Sequence, residues 1–478
     1  MTSTQPVRHP TLVLMSLALA QLIIALDYSI VFVALPEIGS SVGFSDQELQ
    51  WVIGAYAVTF GGFLLLGGRL SDLLGRRKLF MTGLVLYAVA SLIGGLAESP
   101  ALLVLARAVQ GCGGAVLAPA TLSLITTAFA EGKERNRALG VWGATGSSGM
   151  VLGSLLGGVL TQAFGWEAVF YVNVPLAVGV GLLALYAVPA DHGTERRGGL
   201  DFPGGFTVTA GALLLVFGLV NGPKAGWTDP LSLAAFAGAV LFLGAFVLIE
   251  SRTGDPLVPL RVFKNRSLRY GTLITFMFMA TFGASAYFIT LALQTVRGWD
   301  ALSTGLAFIL PCGLILIGSL IGGKLSTSIG VRSTLLIGLI IGAAGTALFA
   351  MFLGDGDTFL QMTPGIVVFS LAQGVVWTAM FAAATSGVEN ELQGLASGLA
   401  QSGQQVGAAV GLSVLVAVAA AVSGAEPSPA EMSGGLQAAT YVSAALIAIT
   451  ALFALALPKR VTASAKPEDM LEVPIVAG

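Results

Sequence analysis

Two ionisable residues stand inside stretches that are otherwise apolar, and they define the chemistry available to this chain. Asp27 lies in the run LDYSIVFVALP at 26–36, and Arg107 lies in LARAVQGCGG at 105–114. A carboxylate buried in hydrocarbon costs several kcal/mol if charged and unpaired, so Asp27 must face a cavity or be neutral. Burial favours the neutral acid, whereas a neighbouring cation or entering water favours the anion. A carboxyl group whose access alternates between two sides can therefore load and release a proton. Arg107 cannot discharge by deprotonating and needs an acceptor or water. Asp27 is its obvious partner, and a backbone carbonyl would also serve. A purely structural role for either residue is the competing reading: Asp27 bonding backbone near Pro36, Arg107 tying two helices together.

The elements that must hold these residues are membrane helices. Of 478 residues, 55% are hydrophobic, only 10% are charged, and 63 are glycine. A soluble protein of this length needs far more charge to cover its surface. With 23 cations against 25 anions there is no basic excess to hold nucleic acid. Cys112, Cys312, His9 and His192 are too few and too dispersed for a disulfide framework or a metal site. No HExxH, GxSxG or GxxxxGK[ST] pattern occurs, so neither catalytic residues nor a cofactor are expected, and a membrane-embedded enzyme or sensor is the weaker class.

Runs of about 20 apolar residues suffice to cross a bilayer. Fourteen such runs follow one another, from 12–36 to 436–457. Ala18-Leu19-Ala20 faintly resembles a signal-peptidase site, but the run continues past it, so an uncleaved first span is expected. With the N-terminus placed in the cytoplasm, the inside segments hold every Lys and Arg of the 23 except Lys224 and Arg297 outside and Arg107 within a span. That asymmetry is the positive-inside pattern and predicts a multi-pass plasma-membrane protein with both termini cytoplasmic.

The chain repeats itself. GGRLSDLLGRR at 67–77 aligns without gaps with GGKLSTSIGVR at 322–332, an offset of 255. Gln110-Gly111 matches Gln373-Gly374 at nearly the same offset, and Gly149 and Gly153 match Gly407 and Gly411. The predicted architecture is all-α: a six-helix bundle over 1–190, an inserted helix pair with flanking linkers over 191–269, and a second six-helix bundle with a short tail over 270–478. Parallel repeats of this kind place a substrate site between the halves.

Other motifs fit that plan. Gly68, Asp72, Gly75, Arg76 and Arg77 form a tight cytoplasmic loop in which Asp72 can bond the basic side chains or a helix N-terminus. Topology alone also accounts for its charges. Gly149, Gly153 and Gly157 recur on one face of span five with Gly140 and Gly158 beside them, and Gly403, Gly407 and Gly411 do the same in span thirteen. Such faces admit close helix approach, as a sliding contact between the halves requires. Tyr287, Gln294, Gln373, Trp377, Gln401, Gln404 and Gln405 are polar or aromatic groups at membrane depth that can line a greasy, adaptable pocket.

These motifs resemble the major facilitator superfamily, specifically its fourteen-helix drug:proton antiporter branch, over nearly the whole chain. Residues 68–78 are similar to the superfamily's loop signature. Arg107 with Gln110-Gly111 resembles the helix-four motif tied to proton coupling, and residues 27–36 resemble the helix-one motif whose acid is implicated in protonation. The glycine spacing from Gly140 to Gly158 resembles the antiporter signature of helix five, except that Ser154 stands where proline is usual. Phe32 replaces a common asparagine, and Thr327 takes the place of Asp72 in the second half. Residues 165–175 also resemble the branch. No extra acid occurs between Leu302 and Gly323, where some relatives that export divalent cations carry one. The resemblance implies a monomeric antiporter in the lipid bilayer that exchanges protons for neutral or monocationic lipophilic molecules. An importer, symporter or lipid flippase on the same scaffold is the alternative.

Overall fold

The computed structural model describes residues 9–44, 49, 51–190, 201–226, 228–253, 256, 258–299, 301–354, 356–424 and 428–458. Their architecture is all-helical. The first six helices are α1 (Pro10–Val42), α2 (Trp51–Leu74), α3 (Arg76–Gly95), α4 (Pro100–Ala128), α5 (Lys133–Phe164) and α6 (Ala168–Ala187). Then come α7 (Phe202–Ala225) and α8 (Pro230–Arg252). The last six are α9 (Arg266–Val296), α10 (Ser303–Ser328), α11 (Val331–Met351), α12 (Phe359–Thr385), α13 (Asn390–Ser423) and α14 (Pro429–Leu455). Thirteen of these are long and apolar enough to cross a membrane, and Pro203–Leu219 within α7 is a shorter apolar helix.

Local chemistry sets the helix ends. The Ser99 hydroxyl accepts from the Leu102 amide and Pro100 opens α4, a favourable pairing because proline's missing N–H is not needed at the first turn. Thr358 with Gln361 and Ser428 with Glu431 form reciprocal capping boxes at the starts of α12 and α14. The sequence repeat reappears as backbone geometry: Gly75 before α3 and Gly330 before α11 both take positive φ, at 106° and 84°. A side chain at either turn would be strained, which explains glycine in both copies.

Within the first bundle α1 packs along α5, and α4 lies between α2 and α3; α6 closes on α1 and α3. The second bundle repeats the scheme with α9 along α13 and α12 between α10 and α11. The inserted pair packs on itself, and α7 leans on α2. The expected boundary between first bundle and insert falls at 191–200, outside the described residues.

Two seams join the halves, α2 with α13 and α5 with α10. They run from the end carrying the Gly75 turn, where Gly68 lies on Gly394 and Gly398 and Gly323 lies on Asn136, inward to Gly61 against Gln405 and Gly143 against Trp377. The transmembrane bundle is thus shut at its Gly75 end.

One expectation is corrected. The Gly149–Gly153–Gly157 face does not meet the opposite half. It packs on α1 of its own bundle, with the Leu22 carbonyl 2.7 Å from where a Gly149 Cβ would be and the Ile30 carbonyl 2.9 Å from that of Gly157. Gly407 and Gly411 press likewise on Phe276 and Ala280 of α9. The reason is steric: a backbone-to-backbone contact this close locks two helices together rather than letting them slide. Only Gly140 and Gly143 of α5 face the second half. Gly158 meets nothing, and the Ser154 side chain lies outside the described set.

Candidate functional site

Asp27 and Arg107 meet directly. Asp27 is fully buried and Arg107 is 1% exposed, with Arg107 Nη1 donating to Asp27 Oδ2 at 2.7 Å. Four helices saturate the pair. Asp27 Oδ1 accepts from Gln110 Nε2 of α4 at 2.8 Å and from Asn173 Nδ2 of α6 at 2.9 Å. Arg107 Nε donates to the Val52 carbonyl of α2 at 2.9 Å, and Nη1 also donates to Gln110 Oε1 at 2.7 Å. Gln110 spends its second amide hydrogen on Ser91 Oγ of α3 at 2.7 Å. The guanidinium carbon lies 4.5 Å from the centre of the Tyr56 ring, a cation–π contact. A charge pair so deep is tolerable only because both carboxylate oxygens and the guanidinium Nε and Nη1 are met. Asn173 Oδ1 has no hydrogen-bond partner.

Sequence reading singled out two of these residues and missed the others as site members. Gln110 stood out as a repeat marker and as part of the helix-four motif with Arg107, and Asn173 only as part of a motif. The signal available for Asn173 was a lone amide between apolar neighbours, a type rarely buried without a partner. Ser91 carries no such signal, because hydroxyls are cheap anywhere in a helix.

The loop motif forms a second cluster, at the closed end. The Asp72 carboxylate, fully buried, accepts from the Gly394 and Leu395 amides at the start of α13, both at 2.9 Å, and from Arg76 Nη2 at 3.3 Å. Arg76 also donates to the Asn390 carbonyl. A carboxylate on free helix N–H groups is a charge-assisted cap, here formed across the seam. Arg77 instead donates to the Leu185 carbonyl of α6 at 2.7 Å. In the opposite seam Thr327, the repeat equivalent of Asp72, receives Asn136 Nδ2 from the start of α5 at 3.2 Å.

The substrate-cavity candidates scatter. Tyr287 is 41% exposed on α9 and Gln294 is exposed in its last turn. Gln401 is buried and donates to the Ser397 carbonyl of its own helix. Gln404 and Gln405 are half-buried, Gln405 beside Gly61 of α2. Gln373 and Trp377 share one face of α12, and Trp377 reaches the seam at Gly143. Phe32 is exposed on α1, edge-on to Tyr28.

The repeat also locates the counterpart of the Asp27 site. The contacts of Gly149 with Leu22 and of Gly407 with Phe276 place Thr281 where Asp27 stands. The sequence offsets place Thr346 at Ser91 and Ser370 at Arg107. Thr281, Thr346 and Thr440 line a cavity of about 10 Å³ with Ser285, Ser443 and phenylalanines. That is room for about one water molecule.

An all-helical membrane bundle of two repeated halves, with a saturated buried ion pair in one half and closing contacts at one end, defines a transporter rather than an enzyme. The sequence pattern of the Major Facilitator Superfamily matches residues 17–412, and the chain belongs to that family. A cephamycin export protein of Amycolatopsis lactamdurans is 37% identical, over 77% of this chain and 76% of that protein. A puromycin resistance protein of Streptomyces alboniger is 38% identical, over 79% of this chain and 75% of its own length. A tetracenomycin C resistance and export protein of Streptomyces glaucescens is 33% identical, over 81% and 72%. The fold matches a human organic anion transporter at TM-score 0.67 and 17% identity, covering 95% of this chain and 100% of that one. It also matches a proton:xylose symporter at TM-score 0.66 and 14% identity, covering 94% and 96%.

Proposed function

We propose that the chain exports lipophilic small molecules of antibiotic type in exchange for protons, working as a monomer in the plasma membrane with both termini cytoplasmic. The observation that carries the reading is the Asp27–Arg107–Gln110–Asn173 cluster: one carboxyl group at membrane depth with a fixed cation beside it. Named export and resistance proteins among the relatives support the direction of transport. The charge asymmetry of the loops supports a cytoplasmic Gly75 end, so in this reading the contacts across that end seal the bundle on the inside.

In this cycle a proton from outside reaches Asp27 and weakens its hold on Arg107. Asn173 then turns its amide, so that the unpartnered Oδ1 accepts the new O–H while Arg107 keeps the Val52 carbonyl and Gln110. The bundle rocks inward, substrate enters from the cytoplasm or inner leaflet, and Arg107 recaptures the carboxylate as the proton leaves. Each proton moving down about 100 mV releases roughly 2.3 kcal/mol. One proton per substrate therefore sustains about a fiftyfold gradient from potential alone.

The test is efflux from proteoliposomes under an imposed pH gradient. Asp27→Asn, which keeps the side chain's shape, is expected to abolish proton-driven efflux while downhill exchange of substrate persists. Full proton-driven efflux by that variant would end this reading, and net uptake by the native protein under the same gradient would reverse its direction.

A further inference from the structure

The Asp27 cluster leaves open which molecules the protein carries. Four other polar atoms in the interior of α5, α10 and α12 lack any hydrogen-bond partner: Trp142 Nε1, Trp377 Nε1 and Ser319 Oγ, whose side chains meet, and Gln373 Oε1, one helical turn before Trp377. Trp142 is 2% exposed and Ser319 fully buried. Gly143, next to Trp142, shows two of them close together: a Cβ there would lie 3.0 Å from Trp377 Nε1 and 3.4 Å from Ser319 Oγ. The two indoles are nearly parallel, 23° apart with centroids separated by 6.4 Å. Phe381 stands edge-on to both, at 5.1 and 5.6 Å, and Phe278 abuts Trp377 at 5.6 Å.

Buried donors and acceptors are almost always paired, and each one left unmade costs about 1–3 kcal/mol. Four such atoms on three helices that meet at one seam need a common explanation. The place supplies it: this is the inner end of the α5–α10 seam, which alternating access must open. Groups bonded across it permanently would resist that motion, whereas groups completed by a transported molecule would not.

Resting on the export reading above, we propose that this junction is the substrate-recognition floor, and that it selects neutral planar molecules carrying a carbonyl-type acceptor together with a hydrogen-bond donor. The acceptor takes the indole N–H groups of Trp142 and Trp377. The donor meets Gln373 Oε1, and the ring system lies on the aromatic faces. No charged side chain belongs to the cluster, so it reads dipoles rather than net charge. Aromatic surroundings alone would also suit a cation, but two unpartnered N–H donors repel one. This narrows the cargo from neutral or monocationic molecules to neutral ones. It also explains how a site without ionic anchors discriminates, since a buried donor left unpaired by the wrong ligand penalises that ligand.

The probes are aminoanthraquinone and aminoanthracene, flat neutral molecules that share the ring system and amine but differ in the carbonyl acceptors. Binding is measured by fluorescence titration of the full-length protein in nanodiscs, without any gradient. Trp142→Phe and Trp377→Phe keep the aromatic face and remove the N–H. Each is expected to weaken aminoanthraquinone about tenfold, one net hydrogen bond, and leave aminoanthracene unchanged. Gln373→Met removes an acceptor that has no partner to lose, so it leaves the fold intact; it is expected to weaken both probes about tenfold, because both carry the amine. Failure of the native protein to prefer aminoanthraquinone overturns the proposal. So does equal weakening of both probes in the Trp variants, which marks a packing role, or unchanged affinity in all three variants, which marks water as the occupant. Because binding is read at equilibrium without a gradient, absence of this contrast in the native protein does not count against proton-driven efflux, and a failure of Asp27 coupling leaves the contrast standing.

Discussion

The two halves share one helical plan and fill its centre differently. In the first, α1, α3, α4 and α6 close on a carboxylate, a guanidinium and two amides with every charge met. In the second, Thr281 of α9 and Thr346 of α11, at the matching positions, line a water-sized void with Thr440 of α14, and Ser370 of α12 stands at the position of Arg107. The seams differ in the same sense. Asp72 caps α13 with a full charge, whereas Thr327 meets Asn136 through one neutral hydrogen bond. A fold that stands on hydroxyls in one copy does not need the ion pair in the other for architecture. Buried pairs are seldom net stabilising against neutral replacements. The charge is therefore in the first half for what it does, which is where the proposed proton coupling belongs.

The sharpest way to break this comparison is to unbalance the pair. Arg107→Ala leaves the Asp27 carboxylate buried beside amides and is expected to destabilise the protein by about 3–5 kcal/mol, read as the midpoint of thermal or denaturant unfolding in detergent. Adding Asp27→Asn to that variant should recover most of the stability and none of the coupling. A double variant as unstable as Arg107→Ala would show that the first half needs its charges to fold, and the contrast between halves would collapse.

A smaller effect separates the seams. Asp72→Ala removes charge-assisted bonds to two α13 amides and should weaken closure at the Gly75 end by about 1.5–3 kcal/mol, while Thr327→Ala should cost about 0.5–1.5 kcal/mol. Spin labels at the ends of α2 and α13, and of α5 and α10, report the shift toward opening at each seam. Equal shifts would mean that the charge in the first seam adds nothing.

The smallest expected effects concern α5. Gly153→Ala drives a methyl group into the Leu26 carbonyl and Ser29 Oγ of α1 and is expected to cost about 1–3 kcal/mol of stability. Gly158→Ala, one residue past Gly157, off that face and meeting nothing, should stabilise the helix by about 0.5–1 kcal/mol. Unfolding midpoints of the two variants give the sign. If Gly153→Ala proved neutral in stability but slowed transport, the α1–α5 contact would be a moving surface after all.

Much of this was legible beforehand because a bilayer makes unusually strict demands on sequence. The run lengths marked the helices, and the repeat of 67–77 at 322–332 predicted twin turns that Gly75 and Gly330 then make with the same backbone sign. The isolation of Asp27 and Arg107 among apolar neighbours marked both, since neither is affordable in lipid without a partner. What periodicity does not carry is which helix faces which. A glycine ladder announces a close neighbour without naming it, so the α5 face was open to misassignment until packing showed α1 against it. Asn173, 146 residues beyond Asp27 in the chain, joins its site only because α6 returns beside α1.

By itself the sequence determined the class of molecule: membrane helices, their number, two related halves, and one buried acid and one buried base to be explained. Composition and spacing suffice for these because the cost of exposing backbone or charge to hydrocarbon exceeds what local contacts can offset. Only the tertiary structure decided the partners of that acid, the hydroxyls that meet at the centre of the other half, the end that is closed, and the meeting of Trp142, Trp377 and Ser319. Those are outcomes of distances of about 3 Å between helices far apart in the chain, and hydrogen bonds of that length are set by packing.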